Sequence, residues 1–233
     1  MAKKKNTEVK GDQRLENIEE SLGKTEQFIV NNQKVITGVI AVIVLIVLGY
    51  FGFSKYYLEP KTEEAYDQMY SAQFYFQIDS LDKALYGDGN HLGFADIAEE
   101  YSMTKPGNLA NYYAGICLLR KGKFSEAIEY LEEFDAEDEL VRPMAIGAIG
   151  DAYMELGKNS DAASYYVEAA DFSPNEFTAP LFLYKAGETY ELMGEYGKAI
   201  DIYQTIKDKY SKSNEARTIE KNIGRATALK NQK

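Results

Sequence analysis

The chain has 233 residues, 45% of them hydrophobic, enough for one or two domains with a buried core. Its net charge of −11 excludes the clustered basic surface that binding to nucleic-acid phosphates requires. One cysteine, Cys117, excludes an intramolecular disulfide, and one histidine, His91, excludes a histidine zinc cluster.

Residues 1–34 form a short arm with seven basic and six acidic side chains, +1 net, which leaves −12 for the other 199 residues. Leu15, Ile18, Leu22 and Ile29 fall on one stripe at helical spacing. Such a helix either rests on a bilayer surface or offers a small contact to a partner.

From Val35 to Ser54 there are twenty residues without a charge. At about 1.5 Å per residue they span a hydrocarbon core about 30 Å thick. Lys34 and Lys55 bracket the run, and Tyr50, Phe51, Phe53, Tyr56 and Tyr57 supply an interfacial aromatic belt. The run has no polar face, as a core helix would, and the bulky end Leu48-Gly49-Tyr50-Phe51 suits no signal-peptidase site. The expectation is an uncleaved transmembrane helix over 35–54. Gly38 and Ala41 are its candidate contacts with other membrane helices, since small residues allow close approach. The basic arm favours a cytoplasmic N-terminus, with the large domain across the membrane.

Residues 55–61 read as a linker. Residues 62–107 read as a degenerate first repeat, with Ala72, Tyr75 and Ala84 echoing the pattern of the later units. Within it, Asp88, Asn90, Gly93 and Glu99 fit a calcium-loop pattern except that Leu92 stands at a ligand position. A plain surface loop is the expectation, and no metal or cofactor is expected.

Over 108–213 a spacing recurs three times. Gly115, Gly122 and Ala127 are followed by Gly150, Gly157 and Ala162, then by Gly187, Gly194 and Ala199. In each set the second glycine lies seven residues after the first and the alanine twelve after it. Two antiparallel helices packed closely need small residues where they touch and a glycine at the turn between them. Large side chains fill the space beside them: Leu118 and Leu131, Tyr153 and Tyr166, Tyr190 and Tyr203. Cys117 lies in an apolar helical run and reads as a buried thiol.

These residues resemble the tetratricopeptide repeat, whose pattern is Gly-x2-Tyr, then Ala-x3-Phe, then Pro. Gly150, Tyr153, Ala162, Tyr166 and Pro174 follow it most fully. The third unit keeps Gly187, Tyr190, Ala199 and Tyr203 but has Ser211 near the proline position. The first is loosest, and Asn111, Ile146 and Leu183 stand where the family has tryptophan. The resemblance implies an all-α fold, a helical-hairpin solenoid after the transmembrane helix, with residues 214–233 as a polar capping helix and tail.

The same resemblance implies a partner groove lined by the first helix of each hairpin. Its candidate residues are Tyr112, Ile116, Asp151, Glu155, Tyr184 and Glu188. The Lys, Arg and Asn by which some relatives hold a C-terminal carboxylate are missing. An acidic groove with tyrosines suits basic or amphipathic segments, or else these side chains merely solvate the surface. No glycine-rich phosphate loop or catalytic constellation stands out, so a binding protein rather than an enzyme is expected.

Arm, membrane helix and repeat domain together resemble the YfgM-type ancillary subunits of the bacterial Sec translocon. That resemblance implies an inner-membrane protein with a periplasmic repeat domain. Its implied partners are the SecYEG channel and a PpiD-type membrane-anchored chaperone. A scaffold of another cell-envelope machine is the alternative.

Overall fold

The computed structural model describes residues 27, 28 and 30–232; the arm stripe of Leu15, Ile18, Leu22 and Ile29 lies outside the described residues. Two units divide the chain, residues 1–57 and residues 58–233. Every element among the described residues is helical.

In the first unit, α1 (Gln33–Phe53) carries no charged residue after Lys34 and buries none of its side chains against the protein. Among the described residues, one helix is long and apolar enough to cross a membrane, and α1 supplies its apolar part. Gly38 and Ala41 are both exposed or half-exposed on it, and a Cβ added at Gly38 would meet nothing within 4 Å.

Residues 55–61, the expected linker, are helical. A π-helical turn covers Ser54–Leu58, and α2 (Glu59–Gln77) follows directly. Pro60 sits in the first turn of α2. A proline lacks the N–H for a bond to the carbonyl four residues back and crowds that carbonyl. The wider π turn just before it accommodates both effects, so the expected linker stays helical through Pro60.

In the second unit, α2 packs on α3 (Leu81–Tyr86), and α4 (Phe94–Glu100) packs on the helix that comes after it. The expected first repeat therefore has its second helix split in two by the loop Gly87–Gly93. Gly93 is required there, because a Cβ would strike the Leu85 carbonyl and the Gly87 amide.

Three full hairpins come next: α5 (Lys105–Arg120) with α6 (Phe124–Glu133), α7 (Val141–Glu155) with α8 (Asn159–Phe172), and α9 (Thr178–Leu192) with α10 (Tyr196–Lys209). The expected glycine roles are met. Gly122, Gly157 and Gly194 end the first helices with φ of 74°, 71° and 72°, a left-handed conformation costly for other residues. Gly115, Gly150 and Gly187 sit against the side chains of Leu131, Tyr166 and Tyr203 on the second helices. Ala127, Ala162 and Ala199, also on the second helices, are fully buried.

Two hairpins also start alike. Asp138 Oδ1 accepts the amides of Leu140 and Val141, and Asn175 Oδ1 accepts those of Phe177 and Thr178. Pro143 and Pro180 come next in the first helical turn, where the absent N–H costs nothing. The stack closes with a 3-10 turn (Glu215–Arg217) and α11 (Ile219–Lys230), which packs on α10. Ile219 and Ala226 of α11 join the buried cluster around Tyr203 and Ile206.

Candidate functional site

The six expected groove residues lie on three successive first helices: Tyr112 and Ile116 on α5, Asp151 and Glu155 on α7, Tyr184 and Glu188 on α9. Their environments differ. Tyr112 is half-buried and packs on Phe134, with ring centroids 5.6 Å apart. Ile116 joins the same apolar cluster. Both serve the packing between the first and second hairpins, and burial pushes the Tyr112 hydroxyl pKa above its usual value.

Asp151 is not a free groove charge. Lys185 of the next hairpin donates to Oδ1 at 2.7 Å and Oδ2 at 2.8 Å, and the Tyr166 hydroxyl donates to Oδ1 at 2.5 Å. Lys185 also stands over the Tyr166 ring, 5.5 Å from its centroid. Burial, then the bond to Asp151, holds the Tyr166 hydroxyl protonated far into alkali. The carboxylate is spent on joining two hairpins.

Glu155 is exposed, and with Asp151 it lines an open cavity of about 540 Å³. Leu119, Arg120, Gly122 and Phe124 of the first hairpin supply one wall, and Met154 and Tyr166 of the second supply the other. Its lining mixes the apolar Leu119, Phe124 and Met154 with the charged Glu155 and Arg120, and Arg120 is itself paired with Asp79 at 2.7 Å. Sequence reasoning missed the first-hairpin wall; the one signal for it was the Arg120-Lys121-Gly122-Lys123 turn, basic in an acidic chain.

Tyr184 is half-buried: its hydroxyl accepts from Asn222 Nδ2 at 3.3 Å, and its ring meets Tyr203. Glu188 is exposed on α9. Of the six, then, Glu155 and Glu188 are charged and open, Asp151 is engaged, and Tyr112, Ile116 and Tyr184 are mainly packing residues.

The loop at Asp88 is a hydrogen-bonded turn. Asp88 Oδ1 accepts the amides of Asn90 and His91, and its Oδ2 accepts the Tyr75 hydroxyl at 2.8 Å. The Asn90 amide, then Tyr75 and the His91 amide, hold the Asp88 carboxyl well below the usual carboxylate range. Leu92 turns its amide to Gln68 Oε1 at 3.1 Å. Among the described residues no group of His, Cys, Asp and Glu is placed to hold a metal ion.

Sequence profiles of the tetratricopeptide repeat match residues 109–137, 145–176 and 182–213, one for each full hairpin. Among solved structures, the nearly identical TPR-like repeats of a Podosopora anserina protein described as a kinesin light chain align with a TM-score of 0.54 at 13% identity, over 73% of this chain and 88% of that one. A point-substituted form of the same protein aligns with a TM-score of 0.54 at 14% identity over the same shares. At that identity the likeness concerns the fold. No curated protein matches the sequence. Three stretches within residues 109–213 thus match tetratricopeptide repeats, the described residues form an all-helical solenoid, and such repeats imply a protein-protein interaction scaffold.

Proposed function

We propose that the protein is a membrane-anchored tetratricopeptide adaptor of the bacterial inner membrane. It stands at the Sec translocon and binds a periplasmic chaperone, emerging secreted chains, or both. The observation that carries the anchoring is α1, which buries none of its apolar side chains within the protein and so needs an apolar environment outside it. The repeat domain supplies the binding, and the likeness of the whole layout to YfgM-type subunits supplies the translocon. Anchoring raises the effective concentration of membrane neighbours, so weak contacts suffice.

Two surfaces divide the work in this reading. Gly38 and Ala41 on α1 pack sideways on helices of the SecYEG channel. The cavity at Glu155 and the neighbouring Glu188 receive the chaperone, of the PpiD type, through its basic or amphipathic segments.

A mild-detergent pull-down with the full chain tests this. Glu155→Lys with Glu188→Lys is expected to release the chaperone and retain the channel, whereas an unrelated membrane helix in place of α1 is expected to do the reverse. Asp151 is left intact in this design because it joins hairpins. Recovery of neither partner sinks the translocon reading, and recovery of a division or secretion apparatus replaces it with the scaffold reading.

A further inference from the structure

The two ends of the repeat stack are finished differently. At the far end α11 turns Glu220, Lys221, Arg225 and Thr227 to solvent, as a capping helix should. At the near end α2 buries Ala65, Met69 and Ala72, yet its opposite side is also apolar. Tyr66, Tyr70 and Phe74, with Ile78 just past the helix end, are all exposed, Tyr70 to 76%. They recur every fourth residue, each step turning only about 40° around the axis, so they make one continuous ridge. An outward helix face is normally polar, and a row of large apolar side chains there marks a contact surface.

Charge says what covers it. The ionised side chains of α2 on this face are Glu59, Glu63 and Asp67, all exposed. Lys61 points elsewhere, standing 5.2 Å from the Tyr101 ring centroid. An anionic bilayer surface would be repelled by these carboxylates. A second copy of the chain would bring the same acidic ridge and add to a net charge of −11. A helix with an apolar stripe and flanking Lys or Arg complements both features, and a four-residue ridge is the surface that another helix's ridges interlock with.

We propose that the Tyr66–Tyr70–Phe74–Ile78 ridge of α2 is a docking site for a basic amphipathic helix of a partner protein. The site is separate from the cavity at Glu155 and stands whichever partner fills that cavity.

The test uses the full chain in nanodiscs of zwitterionic lipid and a labelled five-turn peptide, about 18 residues of Leu and Lys at helical spacing. Anisotropy is expected to show saturable binding that weakens as salt is raised. Tyr70→Ser with Phe74→Ser is expected to weaken it by about tenfold or more. Glu63→Gln with Asp67→Asn is expected to flatten the salt dependence. Phe177→Ser, at an equally exposed ring just before α9, is expected to leave binding unchanged, and all variants should keep the parent circular dichroism and melting.

Unchanged binding in the Tyr70/Phe74 variant, equal loss in Phe177→Ser, or equal binding of a Leu and Glu peptide overturns the proposal. So does a dimer in sedimentation that Tyr70→Ser dissociates, which assigns the ridge to a second copy. Concentration-independent protection of Tyr66 and Tyr70 from iodination in empty nanodiscs assigns it to the bilayer and equally overturns the proposal.

Discussion

Lys185 Nζ lies 2.7 Å and 2.8 Å from the two carboxylate oxygens of Asp151, thirty-four positions earlier in the chain. The pair ties the third hairpin to the second, and Tyr166 of the second hairpin shares the same carboxylate. Both charged side chains are about one-third exposed, so water weakens the ion pair to roughly 1 kcal/mol or less. The larger penalty comes from the Tyr166 hydroxyl, which has little access to water if its acceptor is removed.

Asp151→Ala is therefore expected to destabilise the domain by about 1–3 kcal/mol, mainly by stranding that hydroxyl. Asp151→Asn, which keeps an acceptor, is expected to cost under about 1 kcal/mol. Chemical denaturation of the two variants checks the order. Equal costs would mean the charge, not the hydroxyl, dominates.

Glycine positions give a second ordered series. A Cβ at Gly147 would strike the Phe182 ring, which is buried between hairpins and cannot swing away. At Gly150 the Cβ would sit 2.7 Å from Tyr166 Cε1, another buried ring. Gly147→Ala and Gly150→Ala are each expected to cost about 1–3 kcal/mol by overpacking, Gly147→Ala the more. Gly224 on α11 has nothing within 4 Å, so Gly224→Ala is expected to stabilise by about 0.5–1 kcal/mol. A thermal melt of the three variants reads the order directly.

Cys117 is fully buried, and burial pushes its thiol pKa up from 9.0 to about 12. At about pH 8 the native thiol is neutral and enclosed, so iodoacetamide is expected to leave it unmodified until the chain is unfolded. The linkage has a definite sign. Above about pH 9 the unfolded chain gives up a proton that the folded chain keeps, so this group lowers stability from there up to about pH 12. Fast alkylation of the native protein, with circular dichroism unchanged, would show that the α5 packing opens locally.

Orientation is decided by protease. With the N-terminus cytoplasmic, protease added to spheroplasts is expected to digest residues beyond about 60. Full protection until lysis would place the repeat domain in the cytoplasm and end the translocon reading.

The hairpins were legible because their constraint is local. Two helices about 8 Å apart admit only small residues at their contact. Gly115, Gly150 and Gly187 therefore recur with their turn glycines at fixed distances. The engagement of Asp151 was not legible, because Lys185 belongs to the next hairpin and their approach depends on how the hairpins stack. Tyr112 and Tyr184 looked like groove residues by position alone, yet Phe134 and Asn222, remote in sequence, claim them. The expected linker at 55–61 is a π turn and the start of α2. The ridge on α2 escaped notice because its aromatics read as part of a worn-down repeat, and only their exposure separates display from packing.

The stacking order also bears on how the molecule is born. Each hairpin makes its main contacts with its neighbours in the chain, and no hairpin waits for a distant segment to complete its core. Such a low-contact-order topology folds quickly and can be built from one end as synthesis proceeds. The exception is the last hairpin, where Glu191 on α9 receives Arg225 Nε at 2.9 Å from α11. Until α11 is made, the face of α10 that it covers stays open, so that face of the nascent chain is where a folding helper would have most to protect.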